Sequence, residues 1–223
     1  MKFTGILLGI FLLNANSTVS FANESDKSSK DSKKDSIYVE IGGGWKSYSR
    51  LDYRFESDQD YSAGRWLDIR DGSEFDLNLG YYFSEDWRIS VGYKKTKDYP
   101  SEWYNGTVKG VFADGFSQAA DIYILNIYKE FAIKNIKFVP YIGAGIGVAN
   151  ISRSADPAQG IESEVIGSPY GQLITGLSYS FDKYDLFSEL SYGGTRELEW
   201  SSSNTRQKYW RNFAGKFGVR YRF

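Results

Sequence analysis

From Ser36 onward the apolar residues recur at every second position, the period of an extended strand with two unlike faces. Ile37, Val39, Ile41, Gly43 and Trp45 alternate with Tyr38, Glu40, Gly42, Gly44 and Lys46. Phe75, Leu77, Leu79, Tyr81 and Phe83 alternate with Glu74, Asp76, Asn78, Gly80 and Tyr82. Trp87, Ile89, Val91 and Tyr93 alternate with Arg88, Ser90, Gly92 and Lys94. In each run one face is apolar or aromatic, and the other carries glycine, charge and small polar groups. Residues 139–149, 170–181 and 185–193 repeat the pattern, with Glu189 on the polar face of the last. At the end of the chain Phe213, Phe217, Val219, Tyr221 and Phe223 oppose Asn212, Lys216, Gly218, Arg220 and Arg222. Residues 120–131 also read as a strand, but Ile122, Tyr123, Ile124, Leu125 and Ile127 fall on both faces, so their phase stays open.

The count is about eight strands, each near the length that crosses a bilayer obliquely. Connectors near 84–86, 133–136 and 182–184 are short, whereas those near 50–72, 95–117, 150–168 and 194–208 are long and polar. Tight turns on one rim and long loops on the other predict an all-β, antiparallel, up-and-down transmembrane barrel over residues 36–223. Both ends are then expected in the periplasm and the long loops outside. Lipid cannot satisfy charge, so Glu40, Asp76, Arg88, Glu189, Lys216 and Arg220 must face the lumen and pair across it. Trp45, Phe83, Trp87, Phe181 and Tyr221 fall where an aromatic girdle would sit.

Composition narrows the picture. The chain has 223 residues, enough for one domain, and a mean hydropathy of −0.45 argues against membrane helices. It contains no cysteine and no histidine, which removes disulfides, thiol chemistry and the commonest general base. A formal net charge of −1 gives no reason to expect a nucleic-acid partner. Met1–Lys2, the apolar stretch from Ile6 to Leu13, and Ser20-Phe21-Ala22 form a signal-peptide pattern. Residues 1–22 are therefore expected to be removed after Ala22. Residues 23–35, nearly all Ser, Asp and Lys, are expected to be a disordered periplasmic lead-in.

The ending Phe217-Gly218-Val219-Arg220-Tyr221-Arg222-Phe223 resembles the C-terminal signature of outer-membrane barrels, and Pro140-Tyr141-Ile142-Gly143-Ala144-Gly145-Ile146-Gly147 is similar to a recurring strand of the OmpA/OmpX-like porin and surface-antigen superfamily. The resemblance implies a monomeric barrel in the outer membrane of a Gram-negative cell. It further implies that Phe217, Val219, Tyr221 and Phe223 are read by the barrel assembly machinery. Outer-membrane lipid is the first expected partner.

Candidate chemistry is sparse. Gly143 to Gly147 lack the following helix that a phosphate loop needs. The first long loop carries Asp52, Glu56, Asp58, Asp60, Asp68 and Asp71, but Arg50, Arg54, Arg65 and Arg70 balance most of that charge and no EF-hand spacing occurs. No cofactor or metal is expected. Outer-membrane enzymes of known families use an active-site histidine, so a non-enzymatic role is expected. Tyr53, Trp66, Trp103 and Tyr104 are the leading loop candidates for contact with an extracellular ligand or host surface, with Phe55, Tyr61, Tyr99, Phe112 and Phe116 beside them. Against this, long strands that continue past the membrane would let these rings pack on one another. The alternative function is a narrow channel lined by Glu40, Asp76, Arg88 and Lys216.

Overall fold

The computed structural model describes residues 33–223, apart from 49–50, 56, 58–63, 106, 112–115, 134–135 and 157–160. The expected signal peptide and residues 23–32 lie outside the described residues.

Eight long strands follow one another around the wall: β1 (Ile37–Tyr48), β3 (Trp66–Tyr82), β4 (Trp87–Tyr104), β6 (Gln118–Glu130), β7 (Phe138–Arg153), β8 (Glu164–Phe181), β9 (Tyr184–Thr195) and β12 (Arg211–Arg222). Each pairs antiparallel with the next, and β12 pairs back onto β1 in a register running from Tyr38↔Arg222 to Tyr48↔Asn212. Closure leaves no open edge, which a sheet in hydrocarbon requires. Four short strands extend the long-loop rim: β2 (Leu51–Phe55), β5 (Lys109–Val111), β10 (Leu198–Trp200) and β11 (Thr205–Gln207).

The outer face explains itself strand by strand. Ile41, Leu77, Val91, Leu125, Ile142 and Phe217 are among the exposed apolar residues at mid-wall. Following β1, β3, β4, β6, β7 and β12 toward the long-loop rim, the outward apolar run gives way to Ser47, Ser73, Lys95, Asp121, Asn150 and Arg211. A continuous apolar belt of that size on a monomer's outside is a lipid-facing surface, not a water-facing one. Rings cluster at the short-turn edge of the belt: Phe181 stacks on Tyr184, Tyr184 lies 5.0 Å from Tyr221, and Phe83 stacks on Trp87.

The structure settles the phase of residues 120–131. Ile122 and Ile124 face inward and are buried, whereas Tyr123, Leu125 and Ile127 face out. Periodicity could not decide this because part of the lumen lining is itself apolar at that height. The long connectors are also shorter than 50–72, 95–117, 150–168 and 194–208. The strands β3, β4, β7 and β8 run on beyond the belt, because an outward residue that meets water need not be apolar for the strand to continue. Two shifts in register, between Asp68 and Ile69 and between Arg70 and Ser73, mark irregularities where β3 leaves the belt. At the other end, the lead-in expected to run disordered to Asp35 is ordered from Lys33. The Asp35 amide donates to the Tyr82 carbonyl at 2.8 Å, and Lys33 reaches Glu130 at 2.7 Å. Charge supplied that anchor where no apolar residue was available.

Several inward glycines admit a ring, Gly80 and Gly218 among them. Tyr38 sits opposite Gly80, and Phe187 opposite Gly218. A Cβ on Gly80 would lie 2.1 Å from Tyr38 Cζ, and one on Gly218 would lie 2.3 Å from Phe187 Cζ. The substitution Gly80→Ala is expected to cost about 1–3 kcal/mol by overpacking. A drop in the temperature at which the folded barrel loses its compact gel mobility would register it; an unchanged temperature would show that Tyr38 moves aside freely.

Candidate functional site

Two regions hold polar side chains in unusual settings: the lumen and the long-loop rim. The alternation of each strand points every second residue inward, so the lumen section is fixed by sequence register alone.

In the lumen tier nearest the short turns, Arg220 is the hub. Its Nη2 and Nε donate to Glu40 Oε2 at 2.9 and 3.0 Å, and its Nη1 donates to Asp185 Oδ2 at 3.2 Å. Arg88 Nε donates to Glu130 Oε1 at 3.2 Å, and Arg88 Nη1 to the Tyr38 hydroxyl at 2.9 Å. The Arg88 guanidinium also lies 3.5 Å from the Tyr128 ring centroid. One layer up, Lys216 bridges Asp76 and Glu189, the latter at 2.9 Å, and the Tyr141 hydroxyl donates to Glu189 at 3.2 Å. Higher still, Lys94 donates to Gln172 at 3.0 Å and pairs with Glu74 at 3.6 Å. The structure thus brings Glu40, Arg88 and Arg220 into one cluster and Asp76, Glu189 and Lys216 into another. All six are between 0% and 4% exposed. Charge at that depth is tolerable only when paired in this way.

From the height of Lys94 upward the interior is mixed, with buried Lys46, Thr96 and Asp98 beside an apolar cluster. Ile69, Ile122, Ile124, Ala149, Ile151, Tyr170 and Trp210 continue into Leu51, Leu198 and Trp200 of the rim. There β2 pairs with both β3 and β11, with Gln207 opposite Tyr53. The tip of the β10–β11 hairpin is held from below. The Ser201 and Ser202 amides donate to Glu164 at 2.9 and 3.1 Å, and Arg153 Nη2 donates to the Ser202 and Ser203 hydroxyls.

The rim encloses a cavity of about 360 Å³. Its apolar lining includes Phe55, Leu67, Phe116, Ile161 and Trp200, and its polar lining includes Gln118, Arg153 and Gln207. Of the four leading loop candidates, Tyr53 and Trp103 line this cavity. Burial raises the Tyr53 phenol above its ordinary range, with Arg65 opposing, so it remains a hydroxyl at neutral pH. Trp66 and Tyr104 instead stack on each other, with centroids 5.8 Å apart. Tyr61 and Phe112 lie outside the described residues, as do Glu56, Asp58 and Asp60 of the acidic loop. Among the described residues no group of three or more acids is placed to hold a metal.

Residues 217–223 lie in β12 and the position after it. Phe217, Val219, Tyr221 and Phe223 all point outward, Tyr221 against Phe223 with centroids 5.0 Å apart. The Phe223 amide donates to the Ile37 carbonyl at 3.0 Å, so the last residue completes the seam with β1.

This geometry has counterparts among solved structures. The chain is similar to Neisserial surface protein A, NspA, with a TM-score of 0.57 over 84% of this chain and 97% of that one, at 18% identity. It is similar to the outer membrane protein OprG from Pseudomonas aeruginosa, with a TM-score of 0.59 over 85% of this chain and 97% of that one, at 14% identity. The fold is that of a small outer-membrane β-barrel. No known family and no curated protein sequence matches the chain.

In this outer-membrane barrel, sequence reasoning had pointed to the lumen charges and the rim rings, and missed Gln118, Arg153, Trp200 and Gln207. They sit where both strand faces are polar or mixed, so no periodicity singled them out.

Proposed function

We propose that this chain is a non-enzymatic barrel of the outer membrane that works at the cell surface through its long-loop rim. The observation that carries this reading is the contrast between the two ends of the interior. Below the rim, layers of paired charge cross the section, their members between 0% and 4% exposed. Above them stands an aromatic-lined cavity on the outer rim. Function collects on loops carried by a rigid scaffold, and exposed rings are the usual anchors of contact. A chain with neither histidine nor cysteine, whose buried carboxylates are held by Arg and Lys, also offers no obvious general base.

The reading includes cleavage after Ala22, a periplasmic amino terminus, long loops outside, and insertion as a monomer by assembly machinery that reads Phe217, Val219, Tyr221 and Phe223. Replacing the long loops by tight turns is the direct test. Binding of the expressing cells to host cells, matrix or one another is expected to disappear while the barrel still inserts. Retention of every such interaction would overturn the reading.

The polar lumen keeps the channel alternative in view. Conduction would require Arg220 and Lys216 to leave their carboxylates together, so planar-bilayer recording of the pure protein is expected to show no ion steps at high salt. Regular steps would favour the channel instead.

A further inference from the structure

We propose that the rim cavity binds a small molecule with an apolar body and a carboxylate head, the body among the rings and the carboxylate on Gln118 and Arg153. The proposal rests on the surface-interaction reading, in that the cavity must open to the outside. Three observations carry it.

The cavity, at about 360 Å³, is the size of a small-molecule site, and its rings and aliphatic side chains suit an apolar body. Among the described residues, the cavity's lining atoms left without a partner are all donors. Four nitrogens that line it, Trp103 Nε1, Gln118 Nε2, Arg153 Nε and Gln207 Nε2, have no hydrogen-bond partner among the described residues. Gln118 and Gln207 are 3% and 2% exposed, so bulk water does not serve them, and a buried donor left unmatched calls for an acceptor. Among the described residues no aspartate or glutamate belongs to the lining; Asp98, opposite Gln118 on β4, and Glu164, beside Arg153, lie behind it.

The strand register then places the head. Gln118 and Arg153 are direct cross-strand partners on β6 and β7. Arg153 is already fixed by its Nη2 bonds to Ser202 and Ser203 and by its position 4.2 Å from the Trp200 ring, which leaves Nε for the ligand. Its charge is only loosely offset by Glu164 at 3.9 Å. Gln207 and Trp103 complete the donor set. The paired charges beneath hold the molecule at the rim instead of passing it on.

Calorimetry on the protein in lipid nanodiscs tests this, with empty nanodiscs as the baseline. The probes are 4-phenylbutyrate and 4-phenylbutanol, which share a body and differ in the head. The acid is expected to bind saturably and at least about tenfold more tightly than the alcohol. The pair Gln118→Leu with Gln207→Leu is expected to weaken the acid by at least about tenfold. Trp103→Phe, which keeps a ring and removes the N–H, is expected to weaken it by a smaller factor. No saturable binding, or equal binding of acid and alcohol, overturns the proposal; neither comparison needs a variant. So does full affinity in a double variant that retains folded-barrel mobility. If the double variant fails to fold, Trp103→Phe decides in its place, and unchanged affinity there overturns the donor set. Loss of surface binding on loop replacement is a separate readout. An empty cavity beside that loss overturns this proposal and leaves the surface reading standing.

Discussion

Arg220→Ala is expected to lower the stability of the lipid-inserted barrel by about 3–5 kcal/mol, the usual penalty for removing one partner from a buried charge cluster. Arg220 serves Glu40 and Asp185 directly, lies 3.5 Å from Glu130, and donates to the Tyr82 hydroxyl at 3.1 Å. Its loss takes the main cation from Glu40 and Asp185, leaving them Arg88 at 3.6 Å and Arg222 at 3.5 Å, while Glu130 keeps Lys33 and Arg88. Arg88 is the neighbour best placed to compensate, yet it already serves Glu130 and the Tyr38 hydroxyl. Urea titration of the protein refolded into vesicles, read by tryptophan fluorescence, measures the change. Removing Glu40 as well should cost less than the sum of the two single losses, because the two share one interaction. A single-variant loss under about 1 kcal/mol would mean that the network contributes little to stability.

Val91→Arg is expected to cost about 2–4 kcal/mol in the same assay, the penalty of an arginine at mid-bilayer on a barrel wall. Val91 is 58% exposed, and its cross-strand neighbours are Leu79 and Leu125. In water an arginine there would be harmless, so the size of the loss reports lipid contact directly. Lys95→Arg, two outward positions higher and beyond the apolar belt, should stay within about 0.5 kcal/mol of the parent. Equal effects at the two positions would move the belt away from where the outward residues place it.

The parts of this molecule that could be read from sequence are those on which lipid imposes a rule. Ile41 against Gly42, or Leu77 against Asp76, alternates because one side meets hydrocarbon and the other a crowded interior. That asymmetry also sorts Glu40, Arg88, Lys216 and Arg220 inward before any coordinate is known. Legibility ends where the rule ends. Ile122 and Ile124 were ambiguous because part of the lumen lining at their height is apolar, so both faces of β6 look alike. Beyond the belt, Lys97, Asn150 and Ser152 gave no sign that strands continue, since water accepts polar residues on the outward face. The rim cavity depends on contacts between segments far apart in the chain, such as Gln207 beside Tyr53, and no local pattern encodes them.

The β2–β11 pairing has a consequence for the order of events in biogenesis. Its two halves, Leu51–Phe55 and Thr205–Gln207, stand near opposite ends of the chain. One follows the first strand and the other precedes the last. The roof over the rim therefore has to wait until β12 has reached β1, however early the rest of the wall is laid down. A barrel stalled before its seam closes would lack the roofed pocket, and ligand capture would serve as a chemical mark of finished assembly.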